Sequence, residues 1–465
     1  MTTSPSSPTP RLLLLGRGCI CLETDMTLIT ICQTGSINDS PNAALSFNDS
    51  VQYVITIKNP FSDAEEDRLE WYFEKYLKFP FIESVKAEQA RKSIIGYGQT
   101  LFKQVFGDLE AHAKYSKVSQ EGLNDICVEI IGSLEFIHLL HWEALDDPNQ
   151  GPIALKVPLI RNTFKPQVFD TEAQSSPTIR LLIVTARPNG RSDIGYRTIS
   201  RPLVESMRRA SIRVKIDILR PGTYEALITQ LENMRNHHGK GYYHIIHFDL
   251  HGILATYQQM NDGMLTGRYL FQSRYERPDC QPYEGRKAFL FFETTEPGQA
   301  DPAEAQEITE LLQKHSIPVI ILNACQSGKL TEDTESMLGS RLLEAGVQTV
   351  VAMSYSVTIE AAALMMTEIY RQLFNGTDLP TALCHARRVL YCNKNRKAYF
   401  DQTVELEDWM LPVIYQNSGE QSDPTFKLRP FTSAEEIEYS KAQSKRYQAP
   451  MPSYGFLGRD LDILE

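Results

Sequence analysis

Residues 242–252 read YYHIIHFDLHG and residues 318–325 read PVIILNAC, two apolar runs that close on a histidine-glycine pair and on a cysteine. Short continuous runs of β-branched and aromatic residues between turn residues are the pattern of strands covered on both faces, because a half-exposed strand would alternate with polar residues. Outward from these two, RLLIVTA (180–186), IRVKIDIL (212–219), KAFLFFE (287–293) and TVVAMSYSV (349–357) repeat the pattern. Helical spacings lie between and after them, at 201–210, 224–236, 302–314, 334–345 and 359–374. Strand and helix in alternation predict an α/β fold, with a mostly parallel central sheet flanked by helices. Residues 253–286 break the rhythm and read as an excursion.

Upstream, MTTSPSSPTP (1–10) has nothing to bury and reads as a disordered tail, within a variable region taken to residue 49. VQYVITIKNP (51–60) reads as a strand stopped by Pro60. Leu69, Tyr72, Phe73 and Tyr76 fall at helical spacing, and a second helix is expected over 88–106. ICVEIIG (126–132) reads as a strand, FIHLLHWEAL (136–145) follows, and ALKVPLIRN (154–162) closes this part. The polar stretch 163–178, with two prolines, reads as a linker. The expected organisation is a first lobe over 50–165, a second over 166–418, and a polar linker-like tail over 419–465.

Acidic residues outnumber basic ones, 58 to 47, for a net charge of −11. That balance gives no whole-chain electrostatic case for binding nucleic acid or anionic lipid. The eight cysteines form no CxxC or CxxxC pair, which argues against zinc sites and disulfide frameworks, and no cofactor is expected. The apolar run Leu12 to Leu15 is interrupted by Arg17, far short of the roughly 18 residues of a membrane span. The expectation is a cytoplasmic protein.

His251 and Cys325 stand at the ends of two predicted parallel strands, where open α/β sheets place their ligands. A thiolate is the working nucleophile, and a neighbouring imidazole raises its population and then protonates the leaving amine. Gly252 lets a backbone approach closely, so the amides of Gly252 and Cys325 are candidate donors to an oxyanion. Gly328 permits the sharp reversal an exposed nucleophile requires. A cysteine closing an apolar strand is by itself most often a small buried hydrophobe, so the pair carries this reading and neither residue alone does. Asp249, two residues before His251, is placed either to help orient the site or to point at solvent or a neighbouring backbone amide. His244 and His247 fall on opposite strand faces and make no metal set with His251. A serine hydrolase would require a GxSxG elbow, which is absent.

HFDLHG, ILNACQSG and VVAMSYSV, in this order, resemble the CHAT family of caspase-like cysteine peptidases (clan CD), relatives of caspases and separase. WYFEKYLKFPF (71–81), IHLLHWEALDDP (137–148), LLIVTARPNGRSDIGYRTISRP (181–202) and DWMLPVIY (408–415) resemble further segments, so the resemblance covers residues 50–418. It implies a caspase-like sandwich whose first lobe is a degenerate caspase-like unit buttressing the catalytic one. It further implies a Cys325/His251 dyad, an oxyanion hole at Gly252 and Cys325, and a substrate lying as an added strand along Met353, Ser354, Tyr355 and Ser356. Trp142 and Glu143 would serve the lobe interface. Leu250 departs from the common HFDGHG and is expected to stand beside the site, altering access. Arg197 resembles by position the arginine with which caspases bind aspartate. The second arginine of that clamp is missing around Ser354 and Ser356, so aspartate specificity is not expected.

FLGRD (456–460) resembles the lead-in to STAND-type signalling ATPase domains, but no GxxxxGK[ST] loop is present and no nucleotide binding is expected. The sequence thus reads as a cysteine endopeptidase that cuts a protein partner in a regulated stress, immunity or cell-death response. A STAND ATPase or TPR-type sensor would control it, without direct nucleic-acid or membrane contact. The alternative is a non-catalytic caspase-like scaffold that holds a peptide in the same groove.

Overall fold

A computed structural model describes residues 26–34, 42–48, 51–78, 80–81, 83–133, 136–164, 172–188, 204–205, 213–261, 270–271, 282–294, 299–323, 335–399, 402–417 and 428–447. The first half supplies β1 (Thr27–Gln33), β2 (Asn42–Phe47), β3 (Tyr53–Thr56), β4 (Ile126–Ile131), the short pair β5 (Asp146–Asp147) and β6 (Gly151–Pro152), and β7 (Leu159–Asn162). The second supplies β8 (Ile179–Thr185), β9 (Val214–Leu219), β10 (Ile245–Asp249), β11 (His251–Thr256), β12 (Leu270–Phe271), β13 (Arg286–Glu293), β14 (Gln299–Glu304), β15 (Val319–Asn323), β16 (Thr349–Met353), the hairpin β17 (Asn395–Lys397) and β18 (Thr403–Glu405), and β19 (Pro412–Gln416).

Among the described residues, eleven strands form one sheet in the order β3-β2-β1-β4-β7-β19-β16-β15-β10-β8-β9. It holds two parallel blocks. β1, β4, β7 and β19 run one way, and β16, β15, β10, β8 and β9 the other. The blocks meet at the antiparallel pair β16/β19. β10, β15 and β16 are buried at every position, as their apolar runs require. Alternation sends Ile245, Val319, Ile321, Val351 and Met353 into one core, continuous with the first half of the chain. Ile246, Phe248, Ile320, Leu322, Val350 and Ala352 enter a second core on the opposite face. Among the described residues, no helix is long and apolar enough to cross a membrane.

Three expectations change. The first lobe does not begin at residue 50: β1 and β2 lie within the region read as variable, and β1 pairs in parallel with β4. Residues 287–293 form a strand, but in a second sheet of order β11-β13-β14-β12. A continuous apolar run reports burial on both faces and is silent about which sheet provides it. Within the tail read as a linker, Ser433–Tyr447 is helical. Thr432 and Glu435 bond reciprocally at its start, a capping-box arrangement, and Arg429 pairs with Glu435 at 2.7 Å. The helix expected at 201–210 lies outside the described residues except for Val204 and Glu205. Residues 1–10, Leu12–Leu15 and FLGRD lie wholly outside them.

The two halves are locked by a buried charge cluster. Glu143 is paired with Arg161 of β7, with Nε at 3.2 Å, and stands 3.8 Å from Arg387 of the helix Leu379–Cys392. Arg161 also donates to the carbonyls of His138 and Leu140, at 2.7 and 3.1 Å. Arg387 donates to the carbonyl of Pro412, the first residue of β19, at 2.7 and 3.2 Å. All three charged side chains are fully buried. Trp142 beside them donates to the Ile137 carbonyl at 2.7 Å. Glu143→Gln leaves two buried guanidinium groups under-neutralised, and urea denaturation should show a loss of about 3–5 kcal/mol; a loss below about 1 kcal/mol would contradict this role.

Burial holds the imidazoles of His138, His244 and His247 neutral, lowering them to about 3, 4 and 4 from 6.5. Between about pH 6.5 and 4 the unfolded chain binds protons that the folded chain refuses, so stability is complete above that window and falls as pH drops through it. Each histidine contributes a slope of about 1.4 kcal/mol per pH unit. The expected result is an unfolding free energy lower at pH 5 than at pH 7.5, with a shallower slope in His247→Phe. A flat profile would refute it.

Candidate functional site

β8, β10 and β15 are parallel neighbours, so their carboxyl ends share one edge. Asp249 is the register partner of Thr185 on one side and of Asn323 on the other. Below Asp249 on the same strand face lies His247, buried and with neither ring nitrogen bonded to any of the described residues. Thr185 Oγ1 and Asn323 Nδ2 are likewise buried without partners among the described residues. An apolar sheet interior therefore ends in a polar row at the edge where parallel sheets place their ligands.

β10 stops at Asp249, whereas the sequence carried this strand through residue 252. Leu250 makes the bend, and His251 opens β11, which leaves the main sheet and pairs antiparallel with β13, His251 opposite Phe291. His251 is half-buried. Leu250 does not stand at the site as expected: it is 1% exposed and belongs to the second core, since a bulky apolar side chain at a bend between two sheets has apolar surface on both sides to fill. Gly252 also owes its lack of a side chain to packing. A Cβ there would lie 2.4 Å from Leu338 Cδ2 and 3.1 Å from Leu290 Cδ2.

Asp249 bonds to Arg187, in the segment after β8, whose Nη2 lies 2.6 Å from its Oδ2. The partner is neither solvent nor a backbone amide but a side chain that the sequence reading did not name. The carboxylate is engaged by a buried guanidinium. His244 is structural: Nδ1 accepts from the Arg180 amide at 2.9 Å, and Nε2 donates to the Gln174 carbonyl at 3.0 Å.

Residues Met353, Ser354 and Tyr355 are buried and Ser356 half-buried. The Ser354 amide donates to the Leu411 carbonyl at 2.9 Å, and the Ser356 amide to Glu74 Oε1 at 2.8 Å. Tyr355 stacks on Phe73, with ring centroids 5.2 Å apart. Glu74 and Phe73 end the helix Asp63–Glu74, so the first half of the chain supplies a wall to this segment. Burial pushes the Glu74 carboxyl up, against hydrogen bonds from Ser356 that favour its ionised form. Sequence reading assigned no role to Glu74 or Arg187. Both lie in stretches that carry the family resemblance, but only contacts distant in sequence distinguish them from surface charges. Cys325 and Arg197 lie outside the described residues. A separate cleft of about 830 Å³, lined by Ile359, Tyr391, Cys392 and Lys394 among others, includes none of these residues.

The CHAT domain family matches residues 96–427. Among solved structures, the chain is similar to two crystal structures of the Saccharomyces cerevisiae separase–securin complex, with TM-scores of 0.41 and 0.39 at 11% and 10% identity. Each match covers 84% of this chain and 30% of the other, so this chain spans under a third of that length. It is also similar to the Drosophila initiator caspase Dronc, with a TM-score of 0.25 and 9% identity over 54% of this chain and 86% of that one. No match was found among curated proteins.

Because Leu338 and Leu290 occupy the space over Gly252, Gly252→Ala should destabilise the fold by about 1–3 kcal/mol in thermal or urea unfolding. An unchanged transition would show that the packing gives way freely.

Proposed function

Since this chain belongs to the CHAT domain family, we propose that it is a cysteine endopeptidase in which Cys325 attacks the scissile carbonyl and His251 moves the proton. One observation carries the reading. Asp249 and Asn323 are register partners on adjacent parallel strands, and His251 and Cys325 follow them by the same two positions in sequence. The strands that these two residue types follow thus end at one edge of the sheet, and a dyad there would let the imidazole raise the thiolate population and then protonate the leaving amine. The amides of Gly252 and Cys325 are the proposed oxyanion donors.

An extended substrate would lie along Met353 to Ser356 as an added strand. It would use groups other than the amides of Ser354 and Ser356, which already donate within the chain. Arg197 is proposed to contact substrate, without a two-arginine clamp that would select aspartate. Control by a STAND ATPase or TPR-type sensor, in a stress, immunity or cell-death response, completes the proposal. FLGRD at 456–460 supports the ATPase alternative.

The test incubates wild-type, Cys325→Ala and His251→Ala chains with a proteome-derived peptide library and reads new termini by mass spectrometry. Cleavage in the wild type should fall by about 10³-fold or more in both variants. Cleavage persisting in Cys325→Ala would overturn the assignment, and silence in all three would favour the non-catalytic scaffold.

A further inference from the structure

Between Asp249 and His251 a single residue joins two sheets, so the placement of His251 depends on how firmly both sides of that joint are held. On the main-sheet side, the Arg187 guanidinium engages Asp249 twice, Nη2 to the carboxylate at 2.6 Å and Nη1 to the carbonyl at 2.7 Å. The same Nη1 donates to the Ala186 carbonyl at 2.9 Å, and the Ala186 amide donates to the Asp249 carbonyl at 3.1 Å. On the second-sheet side, His251 pairs with Phe291 of β13, and Glu293 ends that strand two residues later. Glu293 Oε1 accepts the backbone amide of Arg187 at 2.8 Å, while Oε2 accepts that of Gly222 at 3.0 Å. The Glu293 amide returns a bond to the Gly222 carbonyl at 2.9 Å. Both anchors of the joint therefore converge on one residue, the side chain of Arg187 holding β10 and its main chain holding β13.

We propose that Arg187 is a positioning residue for His251, fixing the imidazole through Asp249 on one side and Glu293 on the other. The proposal rests on the reading of His251 as the proton-transfer group. Arg187 is 5% exposed and Asp249 2%, so the pair is removed from water. A guanidinium suits this task because its planar donor fork reaches the carboxylate and the carbonyl of one residue together. An ammonium offers one nitrogen for both.

Removing Arg187 alone would strand a buried carboxylate, so the decisive variant is the double substitution Arg187→Met with Asp249→Leu, which deletes both charges and keeps the packed volume. It is compared with wild type, Arg187→Lys and a His251→Gln chain that identifies the His251 ring resonances. Kinetics on a cleaved peptide are read together with imidazole ¹⁵N spectra. The expected double variant is folded by circular dichroism, with shifted His251 resonances and kcat lower by about 100-fold, as for a misplacement of about 1 Å, while KM stays within about threefold. Arg187→Lys should recover part of kcat and return the resonances partway. Wild-type resonances and kcat in a folded double variant would overturn the proposal; should that variant unfold, Arg187→Lys decides by the same two readouts. A wild type that cleaves nothing would count against the peptidase reading alone, and the His251 resonances of the variants would still decide whether Arg187 places the ring.

Discussion

Two buried guanidinium groups, Arg161 and Arg387, flank one buried carboxylate, Glu143, and Arg387 also holds the Pro412 carbonyl where β19 begins. Charges withdrawn from water are tolerated only with partners in good geometry. The cluster is therefore compatible with one arrangement of β7, the helix Leu379–Cys392 and β19. β19 is the strand that joins the two parallel blocks, pairing with β7 on one side and antiparallel with β16 on the other. The cluster sits where the sheet runs on from one half to the other, and the helix Asp63–Glu74 of the first half packs against residues 353–356.

From that continuity follows the character of the site. One wall of the segment after β16 comes from the first half of the chain, through Phe73 and Glu74, while the joint between β10 and β11 follows a strand two places away in the same sheet. Arg187 bonds to both sides of that joint, by its side chain to Asp249 and by its main chain to Glu293. Beneath it, Thr185, His247 and Asn323 keep buried polar atoms without hydrogen-bond partners among the described residues. Unmade hydrogen bonds in a core cost stability, and these three lie toward the carboxyl ends of parallel strands, where α/β sheets place their ligands.

Much of the fold was legible in single residues. Val319 to Asn323, Ile245 to Asp249 and Thr349 to Met353 were readable as strands because each is apolar almost throughout, and burial is a property each side chain carries alone. The sequence also offered His251 and Cys325 as a candidate dyad, on their pairing at two strand ends and on the family resemblance, and Cys325 lies outside the described residues. Residues 287–293 were read as a strand and assigned to the wrong sheet, and Leu250 was read at the site and lies in the core. In both cases the side chain announced that it would be buried without announcing against what. β1 and β2 were overlooked because their mixed residues, such as Thr27, Thr30, Asn42 and Ser46, show no clean alternation.

What the sequence by itself determined is the α/β class and most strands of the central sheet, which rest on hydrophobicity and residue type, read locally. Only the tertiary structure decided that both halves share one sheet, that Asp249 belongs to Arg187, that Gly252 makes room for Leu338, and that Glu74 reaches Ser356. Those facts are pairings between residues far apart in the chain. A local pattern states that a group must be buried or bonded, but the identity of its partner is set by which arrangement satisfies every buried charge and apolar face at once.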